Sequence, residues 1–155
     1  MKILLATDGT KHSDSAIKMV GNFKLSAGDE IKIVSVVDMA VPLSVDIYAG
    51  YLPTTAEIEK TAQENAGKIL ETASENIRKS FPGTDVFIST EVLLGSPESR
   101  IVETAEEMPA DLIIVGSHGY NRWERLLLGS VSDSVVHHSP CSVVVVRNPQ
   151  TVEET

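Results

Sequence analysis

Three glycines and a group of hydroxyls near residues 113–132 have the types and spacing to hold an anion. The apolar run Ile113-Ile114-Val115 ends at Gly116, Gly119 follows after two residues, and Gly129-Ser130 after nine more. Glycine lets backbone amides approach a ligand where a Cβ would clash, and successive amides can fold into an anion-binding concavity. Gly129-Ser130, with Ser132 close by, reads as a helix start carrying hydroxyls, a place where anions are favoured. Arg122 and Arg125 lie between and can add charge-assisted bonds to phosphate. The stretch reads as strand, glycine loop and helix start, together a phosphate cradle. Its spacing, G-x2-G-x9-G-S, is neither a Walker A loop, which needs Gly-Lys-Ser/Thr, nor the dinucleotide G-x-G-x-x-G fingerprint.

The elements that must position this cradle follow from apolar periodicity. Lys2 to Thr7 is a short apolar strand stopped by Asp8-Gly9. Ala16, Ile17, Val20 and Phe23 recur at helical spacing, predicting a helix from about His12 to Leu25, closed by Ala27-Gly28-Asp29. Ile31 to Val37 is a β-branched strand. Residues 39–53, with Pro42, Gly50, Pro53, Tyr48 and Tyr51, read as a loop or lid. Thr54 and Glu57 have capping-box spacing. The stripe Ile58, Ala62, Ala66, Ile69, Ala73, Ile77 then marks a long amphipathic helix, ended by Phe81-Pro82-Gly83. Asp85 to Leu93 alternates as a third strand. Ser96 and Pro97 sit as N-cap and first residue of a third helix, whose buried face is Ile101, Val102, Ala105 and Met108. Leu112 to Val115, Ser130 to His138 and Ser142 to Val146 complete the series as strand, helix and strand.

Five strands therefore alternate with four helices, and the strands are nearly all apolar, as when both faces of a sheet are covered. This predicts an α/β fold, an open five-stranded parallel sheet sandwiched by four helices with right-handed crossovers. Ligands of such sheets sit outside the carboxyl ends of the strands, where strand order reverses. The loops after the first and fourth strands, carrying Asp8 and Gly116, should meet there. Val143-Val144-Val145-Val146 reads as an edge strand, which invites pairing with a second copy.

Composition bounds the function. A chain of 155 residues reads as one domain, residues 1–149, with an acidic, frayed tail at 150–155. The net charge of −9 argues against a general nucleic-acid or anionic-membrane surface, so a polyanion must be bound by a local site against the global field. No apolar run is long enough to span a bilayer, and Asp8 interrupts the first apolar run too early for a signal peptide. One cysteine, Cys141, excludes an internal disulfide and fits a reducing cytoplasm; ahead of an apolar strand it reads as a small core residue. His12 and His118 fall near the cradle, but no Cys/His/Asp cluster has metal-ligand spacing. A divalent cation, Mg2+ or Mn2+, would arrive on nucleotide phosphates. His137-His138 close a helix, where a cation complements the dipole. Trp123 and Leu126–Leu128 read as loop or dimer packing.

Ala6-Thr7-Asp8-Gly9 with Ser13, Val36-Val37-Asp38, and the G-x2-G-x9-G-S motif running on to Val146 together resemble the universal stress protein family, over nearly the whole chain. The motif is that of the family's ATP-binding subgroup. The resemblance implies strand order 3-2-1-4-5, an adenine nucleotide α-hydrolase-like fold, a homodimer and a cytoplasmic role in stress survival. It implies that Asp8 holds ribose hydroxyls, a task suited to a carboxylate, although Asp before Gly also forms turns. It implies that Val36 reads the adenine edge through its backbone, and that Gly116, Gly119, Gly129 and Ser130 hold phosphates. Thr7, Gly9, Val115 and Ser132 lie beside them. An ATP-binding switch or scaffold is the leading expectation. A slow ATPase, a dimeric module with a vestigial pocket and an adenylating enzyme are the alternatives. Hydrolysis needs an oriented water, and the sequence offers no clear water-positioning Glu or Gln beside the glycine loop and no P-loop lysine.

Overall fold

The computed structural model describes residues 1–38, 54–117 and 128–147. Five strands and four helices alternate in it: β1 Lys2–Ala6, α1 Lys11–Val20, β2 Glu30–Val37, α2 Thr55–Ser80, β3 Phe87–Leu94, α3 Pro97–Glu107, β4 Leu112–Gly116, α4 Ser130–His138 and β5 Ser142–Val146. The strands form one parallel sheet in the order β3-β2-β1-β4-β5. β1 is central, its Leu5 facing Ile33 of β2 and Ile114 of β4. Strand order reverses between β1 and β4, and β5 is an edge, as its place in the sequence pattern predicts.

Apolar runs on β1, β2 and β4 are long because both faces are buried. Ile3, Leu5, Ile31, Ile33 and Ile114 pack on one side with Ala16 and Val20 of α1 and Leu70, Ala73 and Ile77 of α2. Leu4, Val34, Ile113 and Val115 pack on the other with Ile101 and Ala105 of α3 and Val135 of α4. Burial of each such Leu, Ile or Val is worth about 1.5–3 kcal/mol relative to exposure, so a polar substitution on either set of alternating residues removes a share of the core.

The chain departs from the sequence expectation at the end of α1, at the start of β3 and in the buried stripe of α2. α1 ends at Val20, because Gly21 caps it and Asn22 and Phe23 continue with tighter turns onto Met19 and Val20 carbonyls. Phe23 keeps the helical spacing because it still packs on the core, as does Leu25. β3 starts at Phe87, since Asp85 is occupied by accepting Gly28 N–H and Val86 donates back to Thr84. On α2 the buried stripe runs Ala66, Leu70, Ala73, Ile77, while Ile69 turns toward Gly9. The capping box at Thr54 and Glu57 is formed, with both reciprocal bonds, and Pro97 opens α3. Cys141 is half-buried beside the α3–α4 core. Among the described residues no helix is long and apolar enough to cross a membrane.

Candidate functional site

The carboxyl edge of β1, β2 and β4 gathers most of the buried polar residues described. Of the six buried polar residues described, Thr7, Ser13, Ser117 and Ser132 are at this end of the sheet. Buried hydroxyls need partners; those of Thr7, Ser13 and Ser132, with the backbone of Ser117, tie three elements together.

The first link is the turn from β1 into α1. Thr7 continues the ladder by donating its N–H to Val34 O at 3.0 Å. Its hydroxyl donates to Ser13 Oγ at 3.0 Å and accepts Gly9 N–H at 3.3 Å. Gly9 has φ +76°, a left-handed conformation that favours glycine, and a Cβ there would lie 2.8 Å from Ile69 Cδ1. Thr10 is the N-cap of α1, its side chain accepting Ser13 N–H. Asp8 forms the turn itself: its Oδ1 accepts Thr10 N–H at 3.0 Å and Thr10 Oγ1–H at 2.6 Å. Oδ2 of the same carboxylate accepts no bond from the described residues, and Asp8 is half-buried. The turn-forming and ligand-holding readings of Asp8 thus use different oxygens.

The second link joins β4 to α1 and α4. Gly116 lies against the first turn of α1: a Cβ on it would sit 3.0 Å from His12 O and 3.1 Å from His12 C. Its carbonyl accepts Ser132 Oγ–H at 2.6 Å, Ser117 N–H donates to Val146 O at 2.9 Å, and Gly129 N–H donates to Ser117 O at 2.8 Å. These bonds bring the start of α4 to the end of β4. Gly129 stands at the N-cap of α4 in an extended conformation, φ −62°, without a side-chain bond to the helix, so among the described residues the first-turn amides of α4 have no side-chain cap, and they carry the positive end of the helix dipole. Ser130 is exposed there, Ser132 is buried beneath it, and Val115 is buried in the strand.

The third component is Val36. Val34 accepts from Thr7 on the β1 side, and Val37 O accepts Gly95 N–H on the β3 side. Alternation along a strand therefore turns the N–H and C=O of Val36 to the β1 side, where β1 has already bent away into Asp8-Gly9. The Val36 side chain packs against the α3–α4 core.

Thr7, Asp8, Gly9, Val36, Val115, Gly116, Gly129, Ser130 and Ser132 thus share one edge of the sheet. Gly119, His118, Arg122, Arg125, Trp123, Tyr48, Tyr51 and the tail at 150–155 lie outside the described residues. Among the described residues no group of three or more His, Cys, Asp or Glu side chains could hold a metal. A groove of about 330 Å³ lies elsewhere, between α3 and α4; Glu98 and Glu103 line it and disfavour an anion. Sequence reasoning passed over Thr10. Its signal was present in the Thr10-x-x-Ser13 spacing at the head of the first helix.

A doubly wound parallel sheet with an acidic turn after the first strand and a glycine ending the fourth defines an open α/β protein whose ligand crevice faces the strand-order reversal. The model of the universal stress protein family matches residues 1–147. The chain belongs to the universal stress protein family. Universal stress protein MJ0577 of Methanocaldococcus jannaschii is 32% identical over 152 residues, covering 94% of each chain. The solved structure of MJ0577 superposes with a TM-score of 0.79 at 27% identity, covering 97% of each chain. A universal stress protein in complex with cAMP has a TM-score of 0.63 at 23% identity, over 95% of this chain and 96% of that one. An Arabidopsis thaliana family member with AMP bound has a TM-score of 0.63 at 15% identity, over 96% and 92%; at these identities the likeness is one of fold.

Proposed function

We propose that this chain is a cytoplasmic adenine-nucleotide-binding stress protein, with ATP as its ligand, that works as a nucleotide-dependent switch or scaffold. The observation that carries the reading is the carboxylate of Asp8. One oxygen is held in the turn and the other has no partner among the described residues, on the same sheet edge as a glycine-ended strand and an uncapped helix start. In this reading Oδ2 accepts the ribose hydroxyls and the backbone of Val36 meets the adenine edge. The amides about Gly116, Gly119 and Gly129, with the Ser130 hydroxyl, hold the phosphates. Thr7, Gly9 and Val115 line the pocket, and Ser132 acts through the Gly116 carbonyl. Mg2+ or Mn2+ enters with the phosphates. The fold accommodates such ligands in other members, one holding cAMP and another AMP.

A homodimer through the β5 edge accompanies this reading. Val143, Val144 and Val145 are each half-buried in the single chain, and an apolar edge is a liability unless it is paired.

Titration calorimetry with ATP, AMP and a non-hydrolysable analogue, with phosphate release followed in parallel, tests the proposal. Saturable ATP binding is expected, with turnover far below the roughly 10 s⁻¹ of a typical enzyme. Failure of the protein to bind any of the three overturns the nucleotide reading. Fast turnover replaces the switch with an ATPase.

A further inference from the structure

We infer that Thr10 is a positioning residue that sets the sugar specificity of the site, so that the protein selects ribonucleotides over deoxyribonucleotides. The inference rests on the nucleotide reading above. Thr10 donates twice to Asp8, through N–H at 3.0 Å and Oγ1–H at 2.6 Å, and both bonds fall on Oδ1. The hydroxyl has one proton, and it is committed there because the same oxygen also accepts Ser13 N–H as the cap of α1. Ser13 in turn donates to Thr10 O at 2.9 Å and accepts from Thr7, which locks Thr10 from the far side. The carboxylate therefore cannot turn freely. Two donors occupy Oδ1, and Oδ2 keeps its two acceptor sites, which matches the two O–H donors of a vicinal diol. A sugar lacking either hydroxyl leaves one of those sites without its donor in a half-buried place.

Loss of a hydrogen bond to a charged group corresponds to about a tenfold to hundredfold weaker affinity. ATP should therefore bind at least about tenfold tighter than 2′-deoxy-ATP or 3′-deoxy-ATP. Without the Thr10 hydroxyl only the Thr10 N–H still holds Oδ1, the carboxylate turns more freely and is met by water, and the preference should fall to within about threefold. The experiment is calorimetric titration of wild type, Thr10→Ser, Thr10→Val and Thr10→Gly with the three triphosphates. Serine keeps both donors and should keep the preference; valine and glycine should lose it. Glycine is a tolerated N-cap that costs the helix a few tenths of a kcal/mol, so T10G stays interpretable where T10V folds poorly. The ratio of affinities is a readout that a loss of helix stability alone does not move. Wild-type discrimination kept in T10V or T10G overturns the role of Thr10 while leaving the nucleotide reading intact. Equal affinity of wild type for the three ligands overturns the sugar contact at Asp8, and absence of binding to any of them overturns both readings.

Discussion

Gly116 was singled out as a phosphate residue, yet the fold makes a separate demand on it, and Gly116→Ala exposes that demand. A Cβ at this position meets His12 O at 3.0 Å, His12 C at 3.1 Å and Ser13 N at 3.3 Å. All three are backbone atoms of the first turn of α1, which cannot swing aside as a side-chain tip can. Ordinary contact begins near 3.4 Å, so β4 and α1 must separate by a few tenths of an ångström. Overpacking of this kind costs about 1–3 kcal/mol. At about 2–4 °C per kcal/mol for a domain of this size, Tm should fall by roughly 2–12 °C. The moved turn carries Thr10 and Asp8, so nucleotide affinity should fall with stability. Thermal unfolding followed by circular dichroism reads the first effect. A Tm within about 1 °C of wild type would refute the packing argument. It also follows that weak binding by a Gly116→Val variant cannot by itself assign a phosphate contact.

Ser132→Ala removes the bond to Gly116 O and leaves that carbonyl short of a donor, which should cost about 1–3 kcal/mol in chemical denaturation; an unchanged midpoint would show that water replaces the hydroxyl. The β5 edge predicts a dimeric mass by light scattering at micromolar concentration, and a charged residue in place of Val144 should produce monomer; a monomeric wild type refutes the pairing. The Ser96 hydroxyl and the Glu98 backbone N–H hold the Glu98 carboxyl below its ordinary value of 4.5. A depressed carboxylate contributes stability that is present above the unfolded pKa and lost as pH falls through the folded one. Ser96→Ala should therefore raise the Glu98 midpoint seen by NMR and lessen the loss of stability below about pH 4.5, and an unmoved midpoint would assign the shift elsewhere.

Most of the fold was legible because burial on both sheet faces writes itself as unbroken apolar runs. Ile3-Leu4-Leu5 and Ile113-Ile114-Val115 declare central strands, and Thr54 with Glu57 declares a helix start. The end of α1 was harder to read, since Phe23 keeps the helical period while packing from outside the helix. The switch between Ile69 and Leu70 on α2 was also hidden, because both are apolar and their division depends on where Gly9 stands. At the site, glycines could be read as places of close approach, but not what they approach. Gly116 meets the backbone of α1 and Gly9 meets α2, contacts that join residues far apart in the chain. Asp8 was read as a ligand residue with a competing role in a turn; the turn takes Oδ1 and leaves Oδ2 without a bond from the described residues. Thr10 was missed because a capping threonine looks the same in sequence whether or not its hydroxyl also holds a carboxylate.

The central claim is that an adenine nucleotide binds at the carboxyl edge of β1 and β4 with its sugar on Asp8. Calorimetric titration of ATP into wild type and Asp8→Ala at the same pH and salt tests it most directly. Saturable binding by wild type, weakened at least about tenfold in a folded Asp8→Ala protein, is the predicted result. Equal affinity in the two proteins, or no binding to wild type, would contradict it.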